Sequence, residues 1–416
     1  MEFKKKSLYS PMFPNQWTPI KLYELAEWIN GKAFKKDDYN ITGLPVIKIA
    51  ELNTGLSSNT KYSINNDEKF YIKKGDILFA WSGNPDTSID THKFKEKEGY
   101  LNQHIFKVLP NDNKIESDFL YYILKYLKPF FKEIARNKQT TGLGHVTISD
   151  LKKIQVRIPS ENIQKEIADI FIILDSKIEI NNKIISNLES QAQAIFKSWF
   201  VDFEPFQDGN FVESELGMIP EGWEVKELGE LFKFVKGKKP KDLHEKYEDN
   251  FIPYIVKGVM DGSETPKFTN EINIVKIKKL DCFMLMDGAN SGNIYYGYDG
   301  ALGSTFGLIE AKNQIYRELI YWKLKTNESI IKNQNTGSAI PHANKDFISK
   351  MNVAIPINIE ENVIVKTLEN FRIKINSLNN QNTKLAELRD ALLPKLMAGE
   401  IDVSNIKIEG EEVKNE

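Results

Sequence analysis

The amino-acid sequence contains an internal repeat, in which similar segments occur twice in the same order. This repeat constrains the fold more than any other feature. Similar segments surround Trp17 and Trp223, which lie 206 positions apart. Four further matches follow in the same order, and the last pair, Gly142 and Gly337, lies 195 positions apart. Because five segments recur in one order, we interpret the chain as two copies of one domain that differ by loop insertions.

A long helix is predicted after each copy. Each copy itself opens with short β-branched runs broken by Gly, Asn, Asp and Pro, which predict strands and turns. Residues 161–200 then contain no Pro or Gly, and mainly apolar positions recur at alternating spacings of four and three, which is typical of a coiled coil. The segment after copy two has the same alternation. The two stripes are Ile167, Phe171, Leu174, Ile178, Asn181, Ile185, Leu188, Ala192, Ile195 and Trp199, then Ile364, Leu368, Phe371, Ile375, Leu378, Asn382, Leu385, Arg389, Leu392 and Leu396. Asn181 and Asn382 are expected to fix the register, and Pro394 to disturb the last turns.

The predicted fold is therefore α+β, with two similar globular domains separated by two long helices that form an antiparallel coiled coil with pseudo-twofold symmetry. The expected boundaries are 1–159 and 205–355 for the globular copies, 160–204 and 356–400 for the helices, and 401–416 for a polar tail. Two alternatives stay open, in which each stripe packs on its own domain or on a partner subunit. Forty helical residues extend about 60 Å, so a helix pair would hold the copies apart.

Composition narrows the class of protein. The 416 residues are 41% hydrophobic and 27% charged, as in an ordinary globular protein. A net charge of −2 names neither nucleic acid nor membrane as the partner. The single cysteine, Cys282, excludes an intramolecular disulfide framework and is expected in a core rather than as a nucleophile. Because no apolar run is long enough for a signal peptide or a membrane span, a cytoplasmic location is predicted.

The motifs of common enzymes are missing from the sequence. No G-x-x-x-x-G-K-[ST], G-x-G-x-x-G, H-E-x-x-H or G-x-S-x-G string occurs. An Asn/Asp-Pro-Pro-aromatic string, which amino-methyltransferase chemistry requires, is absent as well. The histidines lack metal-ligand spacing; they are His92, His104, His145, His244 and His342. A chain without catalytic residues, metal or cofactor of its own is predicted.

Charged residues are distributed unevenly along the chain. Residues 1–159 hold 25 Lys and Arg against 18 Asp and Glu, whereas residues 160–204 hold 4 against 8. Lysines surround one repeat glycine in each copy: Lys32, Lys35 and Lys36 around Gly31, and Lys236, Lys238 and Lys239 around Gly237. A basic glycine loop at the same position of each repeat suits a phosphate backbone, although a solvated turn explains it equally well.

Two further segments carry polar side chains at repeat positions. The loop after the apolar strand of each copy holds Trp81, Ser82 and Asn84, and then Asp287, Asn290, Ser291 and Asn293. The Thr-Gly segment of each copy holds Thr140, Thr141 and His145, and then Thr336, Ser338 and His342. Such side chains can reach base edges. Turns and helix caps use the same residues, so a structural role is the alternative.

In this combination the chain resembles the specificity subunit of type I restriction-modification systems. The resemblance rests on the duplicated domain, the KKGDIL strand at Lys73, the Thr-Gly-histidine segment before a strand ending in Ile-Pro, and a long helix after each copy. It covers essentially the whole chain. Copy two departs from it at Leu280-Asp281, where Gly-Asp is expected, and the Pro-x-x-x-Gln entry to each helix is degraded.

The resemblance implies two target recognition domains, residues 1–159 and 205–355, each reading one half of a bipartite DNA site. The helices would be the spacer and would also bind two methyltransferase subunits. Those subunits would supply S-adenosylmethionine and N6-adenine methylation, and restriction subunits would bind outside them. The lysines of the two glycine loops, the residues named in the loops after the apolar strands and in the Thr-Gly segments, and His104 would contact DNA.

Antiparallel helices would present both domains to one side of the duplex, with half-sites about one turn or 34 to 36 Å apart. Two other classes of function stay open at this point. One is a self-contained enzyme with a duplicated site, and the other is a coiled-coil adaptor without DNA contacts.

Overall fold

The computed structural model describes residues 12–64, 67–139, 142–337, 340–359 and 363–403. The chain divides into two compact units. The first unit consists of Met1–Ile178 with Thr383–Glu416, and the second of Glu179–Asn382. Both long helices therefore contribute one part to each unit. No helix among the described residues is long and apolar enough to cross a membrane.

The first unit contains copy one. Its strands are β1 (Thr18–Lys21), β2 (Ala26–Asn30), β3 (Leu44–Ile47), β4 (Tyr62–Ser63), β5 (Tyr71–Lys73), β6 (Ile77–Ala80), β7 (Ser82–Gly83), β8 (Asp90–Lys93), β9 (Glu98–Leu101), β10 (Ile105–Pro110), β11 (Gly144–His145) and β12 (Gln155–Ile158). Its helices are α1 (Ile49–Thr54), α2 (Ser117–Tyr126), α3 (Lys128–Asn137), α4 (Ile148–Leu151) and the first part of α5 (Glu161–Phe200). The sheet orders are β2-β10-β6-β8, β4-β3-β9-β5, β1-β12 and β7-β11.

The second unit contains copy two. Its strands are β13 (Phe211–Ser214), β14 (Gly217–Pro220), β15 (Trp223–Glu227), β16 (Phe232–Lys236), β17 (Ile252–Ile255), β18 (Phe268–Thr269), β19 (Lys276–Ile277), β20 (Cys282–Leu285), β21 (Ile294–Tyr295), β22 (Gly300–Leu302), β23 (Phe306–Ala311) and β24 (Asn352–Pro356). Its helices are α6 (Leu228–Leu231), α7 (Lys257–Met260), α8 (Arg317–Thr326), α9 (Glu328–Asn333), α10 (Lys345–Ser349) and the first part of α11 (Val363–Met397). The sheet orders are β16-β23-β20-β21, β18-β17-β22-β19, β15-β24 and β13-β14.

The two copies share one topology. The sheet β2-β10-β6-β8 of copy one corresponds strand by strand to β16-β23-β20-β21 of copy two, and β4-β3-β9-β5 corresponds to β18-β17-β22-β19. The parallel pair falls at the same place in each, between β3 and β9 and between β17 and β22. The β13–β14 hairpin precedes the repeat in copy two. The prediction of two similar α+β domains is confirmed.

The central strand of each copy separates two cores. In β6, Ile77 and Phe79 pack into the large core of copy one, whereas Leu78 and Ala80 pack into a smaller core on the other face. In β20, Met284 belongs to the large core of copy two and Phe283 to the smaller one. Because alternate residues of a strand point to opposite faces, a continuous apolar run is needed when both faces are covered.

Within each unit the long helices run antiparallel. In the first unit Ile167 shares a core with Leu396, and Asp175 accepts a 2.9 Å hydrogen bond from Arg389. In the second unit Phe196 shares a core with Leu368. There the fully buried Asn181 donates through Nδ2 to Gln381 Oε1 and Asn382 Oδ1, at 2.8 Å each. The predicted antiparallel pair, with asparagines facing each other, is confirmed.

The helices also pack on the domain of their own unit, which the alternative interpretation had anticipated. Tyr122 of α2 donates to Asp175 of α5 at 2.9 Å, and its ring lies 4.8 Å from that of Phe171. Each stripe is therefore shared between a helix partner and a globular core.

Candidate nucleic-acid interface

Backbone hydrogen bonds bring the three predicted surfaces of copy one together. The N–H of Gly31 donates to Ile105 O at 3.1 Å, and the N–H of Trp81 donates to His104 O at 3.2 Å. The N–H of Val146 donates to Trp81 O at 2.8 Å, which places β11 beside β7. The glycine loop, the loop after β6 and residues 144–146 of the Thr-Gly segment thus adjoin one another.

Copy two has the same set of backbone hydrogen bonds, and we call this shared arrangement the backbone frame. Gly237 N–H donates to Phe306 O at 2.9 Å, and Met286 N–H donates to Thr305 O at 2.8 Å. Ala343 N–H donates to Met286 O at 2.9 Å, the counterpart of the bond from Val146. His342 pairs with Asp287 in an antiparallel β-bridge, as His145 pairs with Ser82 in copy one. The sites of the two copies therefore share one backbone and differ in their side chains.

The repeat glycines serve this frame by close packing. A Cβ on Gly31 would collide with the carbonyl oxygen of Asn102, and a Cβ on Gly237 would collide with that of Gly303. Neither glycine has a positive φ. The glycine of each basic loop is thus explained by a backbone approach that leaves no room for a side chain.

An aromatic group dominates the site of copy one. The half-buried Trp81 stacks on Phe106 with ring centroids 5.4 Å apart, and its ring lies 6.1 Å from that of His104. Its indole Nε1 donates to Asn30 Oδ1 at 3.0 Å. Both Asn30 and His104 are exposed. Asn30 was not among the residues predicted from the sequence, although its place directly before the repeat glycine was a usable signal.

A charged pair replaces the aromatic group in copy two. His342 Nδ1 lies 2.8 Å from Asp287 Oδ1, and both side chains reach solvent. The buried Met286 occupies the position of Trp81, the exposed Thr305 that of His104, and the exposed Lys236 that of Asn30. Asp287 belongs to the loop predicted from the sequence, but its pairing with His342 was not predicted.

The second loop of copy two corrects one prediction. Ser291 is fully buried, and Asn335 Nδ2 donates to its Oγ at 2.7 Å and to its carbonyl oxygen at 3.0 Å. A hydroxyl held in this way supports the loop and does not face a ligand. Asn293 is half-buried and donates to Tyr295 OH at 3.1 Å, and Asn290 is exposed.

The remaining polar residues hold turns. Asn84 is exposed, and its Oδ1 accepts from the Asp86 N–H at 2.9 Å. Arg136 of α3 braces the same turn through Asp86. Thr336 is exposed and exchanges two backbone hydrogen bonds with His342. The other predicted contacts of these segments, Thr140, Thr141 and Ser338, lie outside the described residues.

Five of the six predicted lysines are exposed, namely Lys35, Lys36, Lys236, Lys238 and Lys239. Lys32 differs, because it is half-buried and its Nζ lies 3.1 Å from Asp38 Oδ1. The backbone N–H of Lys35 and then the Lys32 ammonium hold the pKa of Asp38 below its usual value. The charge of Lys32 is thus matched within the loop, and its contact with DNA stays a prediction.

Nothing in the described residues forms a metal centre: no three His, Cys, Asp or Glu side chains are grouped to hold an ion. Burial raises the pKa of the Cys282 thiol, which lies in the large core of copy two. The prediction of a core cysteine is confirmed. The chemistry that the two sites offer is hydrogen bonding, stacking and charge.

Comparison with known proteins identifies the repeat. The family model of the type I restriction modification DNA specificity domain matches twice, at residues 14–190 and 220–388. The MjaVIII type I restriction enzyme specificity subunit of Methanocaldococcus jannaschii is 33% identical over 195 residues, which is 46% of this chain and 45% of that protein. The putative MjaX specificity subunit of the same organism is 23% identical over 96% of this chain and 97% of its own length.

A solved structure has the same fold. The S subunit of a type I restriction-modification system from M. genitalium is 19% identical, with a TM-score of 0.58, and the match covers 92% of this chain and 97% of that one. The family model matches both copies and covers well over half of the residues. The chain therefore belongs to the family of type I restriction-modification specificity subunits.

Proposed function

We propose that each copy reads one half of a bipartite DNA target. The observation that carries this proposal is one backbone frame bearing two different sets of side chains. Copy one offers Trp81, Asn30 and His104, whereas copy two offers Asp287, His342 and Lys236. A common frame with different donors and acceptors is what two readers of two different base sequences require.

The exposed lysines supply the part of binding that does not depend on sequence. Lys35 and Lys36 lie beside the frame of copy one, and Lys238 and Lys239 beside that of copy two. Cations at these positions suit phosphates, which fix the register of a protein on DNA while the base contacts specify it.

The partners follow from the family. Two methyltransferase subunits dock on the helical segments and bring S-adenosylmethionine, and they methylate adenine N6 within the target. Restriction subunits join this assembly. This chain contributes recognition and takes no part in the chemistry, which agrees with the absence of catalytic motifs from its sequence. The complex acts in the cytoplasm, where it meets DNA.

Replacing Lys35 and Lys36 by Gln should weaken the binding of the complex to every duplex alike. The slope of log K against log salt should become shallower by about 0.9 for each DNA phosphate that is no longer neutralised, and the preferred sequence should not change. Binding is measured by titration at several salt concentrations.

The matched control replaces Lys114 and Lys267, two exposed lysines of the globular domains that pair with Glu24 and Glu245. This double variant changes the net charge equally and should keep the wild-type slope. A slope that is unchanged in the Lys35/Lys36 variant, or equally reduced in both, would remove these lysines from the interface.

A further inference from the structure

The Asp287–His342 pair of copy two is held more rigidly than a surface pair requires. His342 exchanges backbone hydrogen bonds with Thr336 at 2.7 and 2.9 Å. On either side of His342, Pro341 O accepts from Gly288 N–H at 2.9 Å and Ala343 N–H donates to Met286 O at 2.9 Å. The imidazole is thus fixed at both its backbone and its Nδ1, while its side chain remains 50% exposed.

The carboxylate determines what this imidazole can do. An ionised carboxylate only accepts hydrogen bonds, so Nδ1 must carry the proton that faces Asp287. In the neutral ring Nε2 is then an acceptor, and its polarity is set by Asp287. Copy one has Ser82 opposite His145, and a hydroxyl can donate or accept. The fixed polarity is therefore a property of copy two.

An acceptor of fixed polarity selects among bases. In the major groove the base-edge donors are the exocyclic amino groups of adenine N6 and cytosine N4. Guanine O6 and N7 and thymine O4 are acceptors, which Nε2 and the nearby carboxylate both disfavour. We propose that Asp287 and His342 form a specificity-determining pair of copy two, in which His342 Nε2 accepts from the amino group of one adenine or cytosine. This inference rests on the proposed function.

The test selects bound sequences from a pool of duplexes with random bases, using the complex of the full chain with its methyltransferase partner at pH 8. Asp287→Asn and Asp287→Ser no longer require the proton of His342 to lie on Nδ1, since both new side chains can donate a hydrogen bond as well as accept one. At a single position of one block, the preference for adenine or cytosine over guanine or thymine should fall about tenfold. The other block should persist in the same molecules. Asp299→Asn, which removes one exposed carboxylate elsewhere in copy two, should leave both blocks unchanged.

The outcomes separate this inference from the proposed function. If neither block differs between the wild type and the Asp287 variants, the role of the pair in specificity is wrong, and the proposal that the chain reads DNA is unaffected. Loss of both blocks in the variants would also overturn it, because the pair would then serve the fold. Failure of the wild-type complex to select any sequence would overturn the proposed function itself.

Discussion

Replacing Glu318 by Ala should lower the free energy of unfolding of the second unit by about 3 to 5 kcal/mol, because it leaves a buried charge without its partner. Arg372 of α11 and Glu318 of α8 are each 2% exposed, and Arg372 Nε lies 2.9 Å from Glu318 Oε2. The guanidinium lies 4.0 Å from the ring centroid of Tyr321 and 4.7 Å from that of Tyr296.

Calorimetric unfolding of the purified chain measures this loss. The control is Glu310→Ala, which removes an exposed carboxylate 2.6 Å from Lys233 in the same unit and should cost less than about 1 kcal/mol. The double variant Glu318→Leu with Arg372→Met should recover most of the stability, because it removes both charges together. A Glu318→Ala variant within about 1 kcal/mol of wild type, on the order of the surface control, would contradict a buried ion pair.

Exchange of one copy should exchange one half of the target. Replacing residues 1–159 by the matching domain of a relative is expected to change one sequence block completely and to leave the other intact. The reason is that the site of copy one is built entirely from residues of the first unit, and that of copy two entirely from residues of the second. The junction falls after β12 and directly before α5, so no element is cut.

Sequence selection from random duplexes reads both blocks of the chimaera at once. The reciprocal exchange of residues 207–356, which leaves β24 whole, is the control and should change only the other block. If either exchange alters both blocks, the copies do not read independently.

Much of the fold could be predicted because the repeat and the heptads are long-range patterns. The stripe positions are buried or half-buried throughout, including Asn181 and Asn382. Pro394 is the exception among these predictions, since α11 continues through it to Met397. Pro394 is exposed, where a carbonyl that loses its partner can be solvated.

The site was predicted less completely, because the partners of its residues are not visible in the pattern of the sequence. Ser291 is buried and accepts a hydrogen bond from Asn335, 44 positions away, and Lys32 pairs with Asp38 within its own turn. The buried Arg372 has no signal in a helical pattern, since an arginine beside an apolar stripe is ordinarily solvated. The three surfaces were found by repeat position, but only the backbone hydrogen bonds show that they adjoin one another.

The central claim, that two related domains read two different half-sites, is tested most directly by mapping methylated adenines in the DNA of cells that express this chain with its methyltransferase partner. We expect one bipartite motif, with two short specified blocks of different sequence, an unspecified spacer between them and a methylated adenine in each block. A single continuous motif, or a methylation pattern that does not depend on this chain, would contradict it.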